Sequence, residues 1–311
     1  MSRREIVRVD GVTKDVRPGF GLRRKRVLHD ISFRVREGET FGFVGPNGAG
    51  KTTTLKVLMG LMRPSSGRAQ VLGHDVGETA FRRHVGFLPE NPYFYDYLTG
   101  RETLEFYAKL CGVPRERRGP RIDELLERVG LSHAADARLR TYSKGMQQRV
   151  GIAQALVHDP DVVFLDEPMS GLDPIGRKDV RDLILRLRDR GKTVFMNTHI
   201  LHDVELVCDR VAIIVAGRIR YEGAIQDFLE VGERQTDVLV DGLAAEAAAE
   251  LEARGAQLRG LGERIEVRVD EKRVDDTLGA LLAAGAKVVS VTPHRASLER
   301  IFLNAVQESR S

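Results

Sequence analysis

GPNGAGKTT, from Gly45 to Thr53, fits the pattern G-x-x-x-x-G-K-[ST], with Gly45, Gly50, Lys51 and Thr52 at the fixed positions. The chemistry explains the spacing. Phosphate oxygens need several donors converging on one point, and Gly45, Gly48 and Gly50 leave the backbone free to curl so that successive N–H groups turn inward. Lys51 reaches the β- and γ-phosphates as a point charge, and the Thr52 hydroxyl is placed to ligate Mg²⁺. The whole run (Gly45, Pro46, Asn47, Gly48, Ala49, Gly50, Lys51, Thr52 and Thr53) is therefore a candidate phosphate cradle. Before it, TFGFV, Thr40 to Val44, reads as a short buried strand; after it, Leu55, Leu58 and Leu61 recur at helical spacing. The N-terminus of that helix adds partial positive charge where phosphates would sit.

At 311 residues the chain is long enough for a large core and two domains. Hydrophobic residues make up 42% and charged residues 30%, the balance of a globular rather than a disordered protein. No apolar run reaches the ~18 residues that a membrane span needs, and the opening MSRREIVRVD lacks the apolar segment of a secretory leader. Cys111 and Cys208 are the only cysteines and lie far apart, which predicts buried thiols in a reducing cytoplasm. The net charge of +4 allows attraction to an anionic surface without pointing to nucleic acid.

Outward from the loop, Ile6 to Val9 alternates and reads as an edge strand, and Ile31 to Val35 as another strand. Between them, the basic run Arg23 to Arg26, with Pro18, Gly19 and Gly21, reads as an exposed surface loop. His84 to Glu90 is a strand ending in an acid. Glu102–Cys111 and Arg121–Val129 read as helices, with Pro114 and Pro120 between them. Tyr93, Phe94, Tyr95 and Tyr97 fall in a Pro- and Gly-bounded loop, where exposed aromatics mark an interface. DVVFLD, Asp161 to Asp166, and TVFMN, Thr193 to Asn197, read as strands buried on both faces, separated by a helix with Val180, Leu183, Ile184 and Leu187 on one side. Such alternation gives a mostly parallel α/β sheet. Arg210 to Tyr221 reads as a hairpin turning at Ala216-Gly217. From Thr236 onward the order β-α-β-β-α-β with a final helix predicts a small ferredoxin-like module.

Four stretches narrow the chemistry. The strand at Val162 delivers Asp166 and Glu167 to its C-terminal end, where ligands sit in parallel sheets. Asp166 is a candidate Mg²⁺ ligand and Glu167 is placed to polarise an attacking water. In YSKGMQQ, Ser143 and Gly145 precede a helix from about Met146 and form a second anion site, as for a nucleotide held between two subunits. His199 follows a strand parallel to the acidic one, which brings its imidazole toward the γ-phosphate. Glu90 closes its own strand.

These residues together resemble the ATP-binding subunit of an ABC transporter. GPNGAGKTT resembles Walker A, VVFLDEP Walker B with its catalytic glutamate, and YSKGMQQ a variant of the LSGGQ signature that keeps Ser143, Gly145 and Gln147. SGLDP, containing Asp173, resembles the D-loop, and NTHI the switch histidine His199. The resemblance implies a P-loop ABC ATPase fold over residues 5–232, with a helical subdomain at about 91–160 and an α+β accessory domain at 236–311. SLERIFL near the end resembles the tail of the export-type subfamily that works with a separate permease. It further implies ATP and Mg²⁺ as ligands, Thr52, Asp166 and Glu90 around the metal, and Glu167 and His199 as the catalytic pair. The implied partners are a second copy of the chain and an integral-membrane permease docked around Glu90 and Tyr93 to Tyr97, at the cytoplasmic face of the membrane. No nucleic acid is expected. A soluble ABC ATPase acting on nucleic acid or ribosomes is the rival; the chain has no coiled-coil insertion, second ATPase domain or strongly basic tail to support it. Two departures stand out. The family usually has glutamine where Glu90 stands, and its adenine-stacking aromatic falls near Val16, leaving Phe20 as the substitute.

Overall fold

Two strands twelve residues long begin the chain, β1 (Glu5–Val16) and β2 (Lys25–Arg36), each with alternate residues buried. They pair antiparallel, and β1 also pairs with β4 (Ser66–Val71), which in turn pairs with β5 (His74–Asp75). The computed structural model describes residues 4–17, 24–231, 235–262, 264–294 and 298–308. Phe20 and Arg23 thus lie outside the described residues. β1 is not the edge strand its alternation predicts: it lies between β2 and β4. A period of two reports one buried face and says nothing about lateral neighbours. The basic run is also not all loop, because Lys25 and Arg26 open β2 and Arg26 Nε donates to Asp15 Oδ1 at 2.8 Å.

The second sheet holds β3 (Thr40–Val44), β6 (Val85–Leu88), β7 (Val162–Asp166), β8 (Thr193–Thr198), β9 (Arg210–Val215) and β10 (Arg218–Ala224), in the order β10-β9-β3-β8-β7-β6. All its pairings are parallel except that of β9 and β10, the hairpin that turns at Ala216-Gly217. Ala216 and Gly217 both have positive φ (48° and 74°), as a two-residue hairpin turn with the right twist requires. β3, β7 and β8 are buried at every residue, which is why their sequences run apolar without alternating. The two sheets meet in an aromatic core. Phe33 of β2 lies 5.2 Å from Phe43 and 5.8 Å from Phe41, and Phe195 joins them from β8.

Helices cover the rest. α1 (Lys51–Leu58) follows the phosphate loop; α2 (Gly100–Leu110), α3 (Arg115–Arg128) and α4 (Lys144–Ala155) form the segment between β6 and β7. Thr99 and Glu102 close a capping box at the start of α2, satisfying two otherwise unpaired N–H groups. α3 starts six residues before the expected Arg121 and takes Pro120 inside it, losing the i→i−4 hydrogen bond at that residue. Ser143 caps α4, accepting from Met146 N, so that helix begins at Lys144 rather than Met146. α5 (Pro174–Asp189) buries Val180, Leu183, Ile184 and Leu187, and α6 (Leu201–Val207) follows β8. Cys208 is buried, but Cys111 is exposed at the end of α2, against the expectation of two buried thiols.

By its contacts the chain divides into two compact units, Met1–Ile225 with Phe302–Ser311, and Gln226–Ile301. α7 (Ile225–Val231) precedes β11 (Gln235–Asp241), α8 (Ala245–Ala253), β12 (Gln257–Leu261), β13 (Arg264–Asp270), α9 (Val274–Ala283), β14 (Lys287–His294) and α10 (Leu298–Glu308). The four strands make an antiparallel sheet in the order β12-β13-β11-β14, the ferredoxin-like arrangement. Val238, Val240, Val267, Leu251 and Leu281 form its core. Among the described residues no helix is long and apolar enough to cross a membrane.

Candidate functional site

The phosphate loop leaves β3 at Gly45, where steric demand is absolute: a Cβ there would sit 2.3 Å from the Ile214 carbonyl oxygen. Gly50 ends the loop at φ 109°, a conformation L side chains rarely adopt, and α1 begins at the next residue. Lys51 is buried, and its Nζ donates to the Gly45 carbonyl at 2.7 Å, closing the loop on itself. The same Nζ is 3.5 Å from Glu167 Oε1. On the other side of that carboxylate, His199 Nδ1 is 2.8 Å from Glu167 Oε2. Three elements that are distant in sequence thus converge: the loop after β3, the end of β7 and the end of β8. Parallel register does this, since Val44 pairs with Thr198 and Asp166 with Asn197.

A cavity of about 660 Å³ opens here. Its lining includes Pro46, Asn47, Gly48, Gly50, Lys51, Thr52 and Thr53 from the loop, with Glu90, Glu167 and His199 opposite. Gly45 and Ala49 are buried in the loop's base. Glu167 is held in the left-handed region at φ 49°, fixed by its N–H bond to the Asn197 carbonyl at 2.9 Å. Burial pushes the Asp166 carboxyl above the ordinary carboxylate range; the neighbouring charges of Glu167 and Glu90 push the same way, while the Asn197 amide and Thr52 hydroxyl hold it down. Thr52 and Asp166 are hard oxygen donors suited to Mg²⁺. Among the described residues no three His, Cys, Asp or Glu side chains are grouped to hold a metal alone, so phosphate oxygens and water would have to complete the shell.

Ser143, Gly145, Gln147 and Asp173 do not line this cavity. Ser143 Oγ caps α4, Gln147 Nε2 reaches the Leu139 carbonyl at 3.5 Å, and Asp173 Oδ1 caps α5 through Gly176 N at 2.8 Å. The start of α4 lies beside the SGLDP segment: Lys144 packs against Gly171, and Gly145 faces Leu172. Three residues not singled out from the sequence join the site. Val27 and Ser170 line the cavity, and Asn197 donates from Nδ2 to Asp166 Oδ1 at 3.1 Å. Asn197 closes an apolar strand, and such a position reads as a strand end rather than as a ligand-site residue.

Residues 28–170 match the family model described as ABC transporter. An uncharacterized ABC transporter ATP-binding protein of Synechocystis sp. is 44% identical over 308 residues, covering 97% of this chain and 85% of the relative. The chain belongs to the ABC transporter ATP-binding proteins. It is the ATPase subunit of an ABC transporter. A second relative in this family, the daunorubicin resistance ATP-binding protein DrrA3 of Streptomyces coeruleorubidus, is 35% identical over 293 residues, with 92% and 93% of the two chains covered. A solved ATP-binding cassette, dimeric and bound to ADP and Pi in a post-hydrolysis state, superposes with a TM-score of 0.65 at 26% identity, covering 71% of this chain and 99% of that one. The likeness to the ABC ATPase fold thus extends over 71% of the chain.

Proposed function

We propose that this ABC ATPase drives export through a separate membrane permease, working as a homodimer that closes on two Mg-ATP molecules. The observation that carries the catalytic part is the Glu167 carboxylate, set between Lys51 and His199 at the cavity. In this reading the loop from Gly45 to Thr53 holds the phosphates, and Lys51 turns its charge from Glu167 to the γ-phosphate. Glu167 then takes a proton from the attacking water, and His199, hydrogen-bonded to it, holds that carboxylate in place and meets the γ-phosphate. Thr52 and Asp166, with Glu90 beside them, would hold Mg²⁺, which when bound neutralises charge on the phosphates. Ser143, Gly145, Gln147 and Asp173 act on the nucleotide of the partner copy. Phe20 remains the proposed adenine contact.

Export rests on the likeness to DrrA3, whose name assigns it to daunorubicin resistance. The permease contact is proposed around Glu90 and the loop after it. Tyr93, Tyr95 and Tyr97 are 89%, 50% and 62% exposed, and Tyr95 packs edge-on against the less exposed Phe106. So many exposed aromatics in one loop fit an interface. The subunit would then sit peripherally at the cytoplasmic face of the membrane, with residues 5–232 as the ATPase domain and 236–311 as the accessory domain. Membrane fractionation tests this. In the cells that produce it, the protein should pellet with membranes and co-purify with an integral-membrane protein; remaining in the supernatant would contradict it.

A further inference from the structure

Asn197 is fully buried on β8, between β3 and β7. Its side-chain nitrogen faces a carboxylate, which when ionised only accepts, so the amide can point only one way. That leaves Oδ1 on the other side, buried and without a hydrogen-bond partner. An apolar residue would fill an interior strand position at no such cost. The main chain of the same residue is equally committed, since its carbonyl takes the N–H of Glu167. One residue therefore touches both acids of the site, Asp166 through its side chain and Glu167 through its backbone.

We propose that Asn197 is a positioning residue of the ATPase: its amide nitrogen fixes the Asp166 carboxylate in the orientation that ligates Mg²⁺. The inference rests on reading Asp166 as a Mg²⁺ ligand. Groups that orient a ligating carboxylate from behind commonly set metal affinity by 10–100-fold. The Nδ2 bond to Asp166 Oδ1 at 3.1 Å places Asn197 behind that carboxylate, and the cost of its buried oxygen is met by this bond.

The test uses the full chain and a fluorescent ATP analogue, titrated in EDTA and then with rising Mg²⁺. In Asn197→Leu, close in shape but without polar atoms, affinity in EDTA stays near wild type while half-saturating Mg²⁺ rises about tenfold. Asn197→Ser, whose hydroxyl keeps one donor and acceptor, shifts it less. Should Asn197→Leu fail to fold, Asn197→Ser alone must still show the rise. A purely structural role predicts something else: weaker analogue binding in EDTA and Mg²⁺ alike, with unchanged half-saturation, and that result overturns the proposal. Asp166→Asn is the control. If it raises half-saturating Mg²⁺ and the Asn197 variants do not, only the role of Asn197 fails. If Asp166→Asn leaves Mg²⁺ dependence unchanged, the metal reading fails and this inference with it.

Discussion

Lys51 and Glu167 form an ion pair, Nζ to Oε1 3.5 Å, with both side chains more than nine-tenths buried. The residue that must bind phosphate and the residue that must activate water share one charge balance. Removing one partner leaves the other as an uncompensated buried charge, which is far more costly than removing both.

A double-mutant cycle reads that coupling. Lys51→Met and Glu167→Gln should each change thermal stability, and the double mutant should recover part of the loss from Lys51→Met. The expected coupling is about 1–3 kcal/mol, within the range for contacting charged residues. Strict additivity would show that the two charges do not sense each other.

Asp203 on α6 is 4% exposed, its Oδ2 has no hydrogen-bond partner, and burial raises its carboxyl above the ordinary range. The sign follows from linkage. The folded state binds this proton more tightly than the unfolded state, so the group costs nothing at low pH. The cost enters as pH climbs past the unfolded carboxylate value and is complete above the raised folded one. Asp203→Asn should therefore be more stable than wild type at pH 7, and the gap should close as pH falls toward about 4. Denaturant melts at several pH values check this; a gap that does not vary with pH would assign the effect to something other than ionisation.

Glu90 is exposed at the cavity rim and adds negative charge near Asp166. With Glu90 in place, ATPase activity should half-saturate at lower Mg²⁺ than in Glu90→Gln, because carboxylates are hard ligands for this ion. The variant should remain active. Overlapping Mg²⁺ titrations at saturating ATP would leave Glu90 outside the metal's surroundings.

Every side chain at the cavity comes from the portion before His202. A chain ending near Glu230 should then keep ATP binding, measured by the same fluorescent analogue, whatever happens to dimerisation. Loss of binding in a folded, soluble truncation would mean that the C-terminal part supports the site.

Motifs made the site legible where one residue type has one job at one spacing. Lys51, Thr52, Glu167 and His199, named from their motifs, do line one cavity. Parallel register then brought Glu167 and His199 together, a relation that strand order alone implies. Asn197 was not legible: it ends an apolar strand, and its importance depends on what faces it across the ladder. The interior place of β1 was hidden for the same reason, since lateral pairing leaves no trace in a period of two. Pro120 misled because proline is usually a boundary, yet α3 runs through it.

Glu167 is proposed as the base of this ATPase, and steady-state hydrolysis by Glu167→Gln is the decisive measurement. The glutamine keeps the shape and can still bond His199, but it cannot take a proton. The account predicts unimpaired ATP binding, a turnover about 10²–10⁴-fold below wild type, and an ATP-dependent dimer that persists through size-exclusion chromatography. Turnover near the wild-type rate in a variant that binds ATP normally would remove Glu167 from the chemistry.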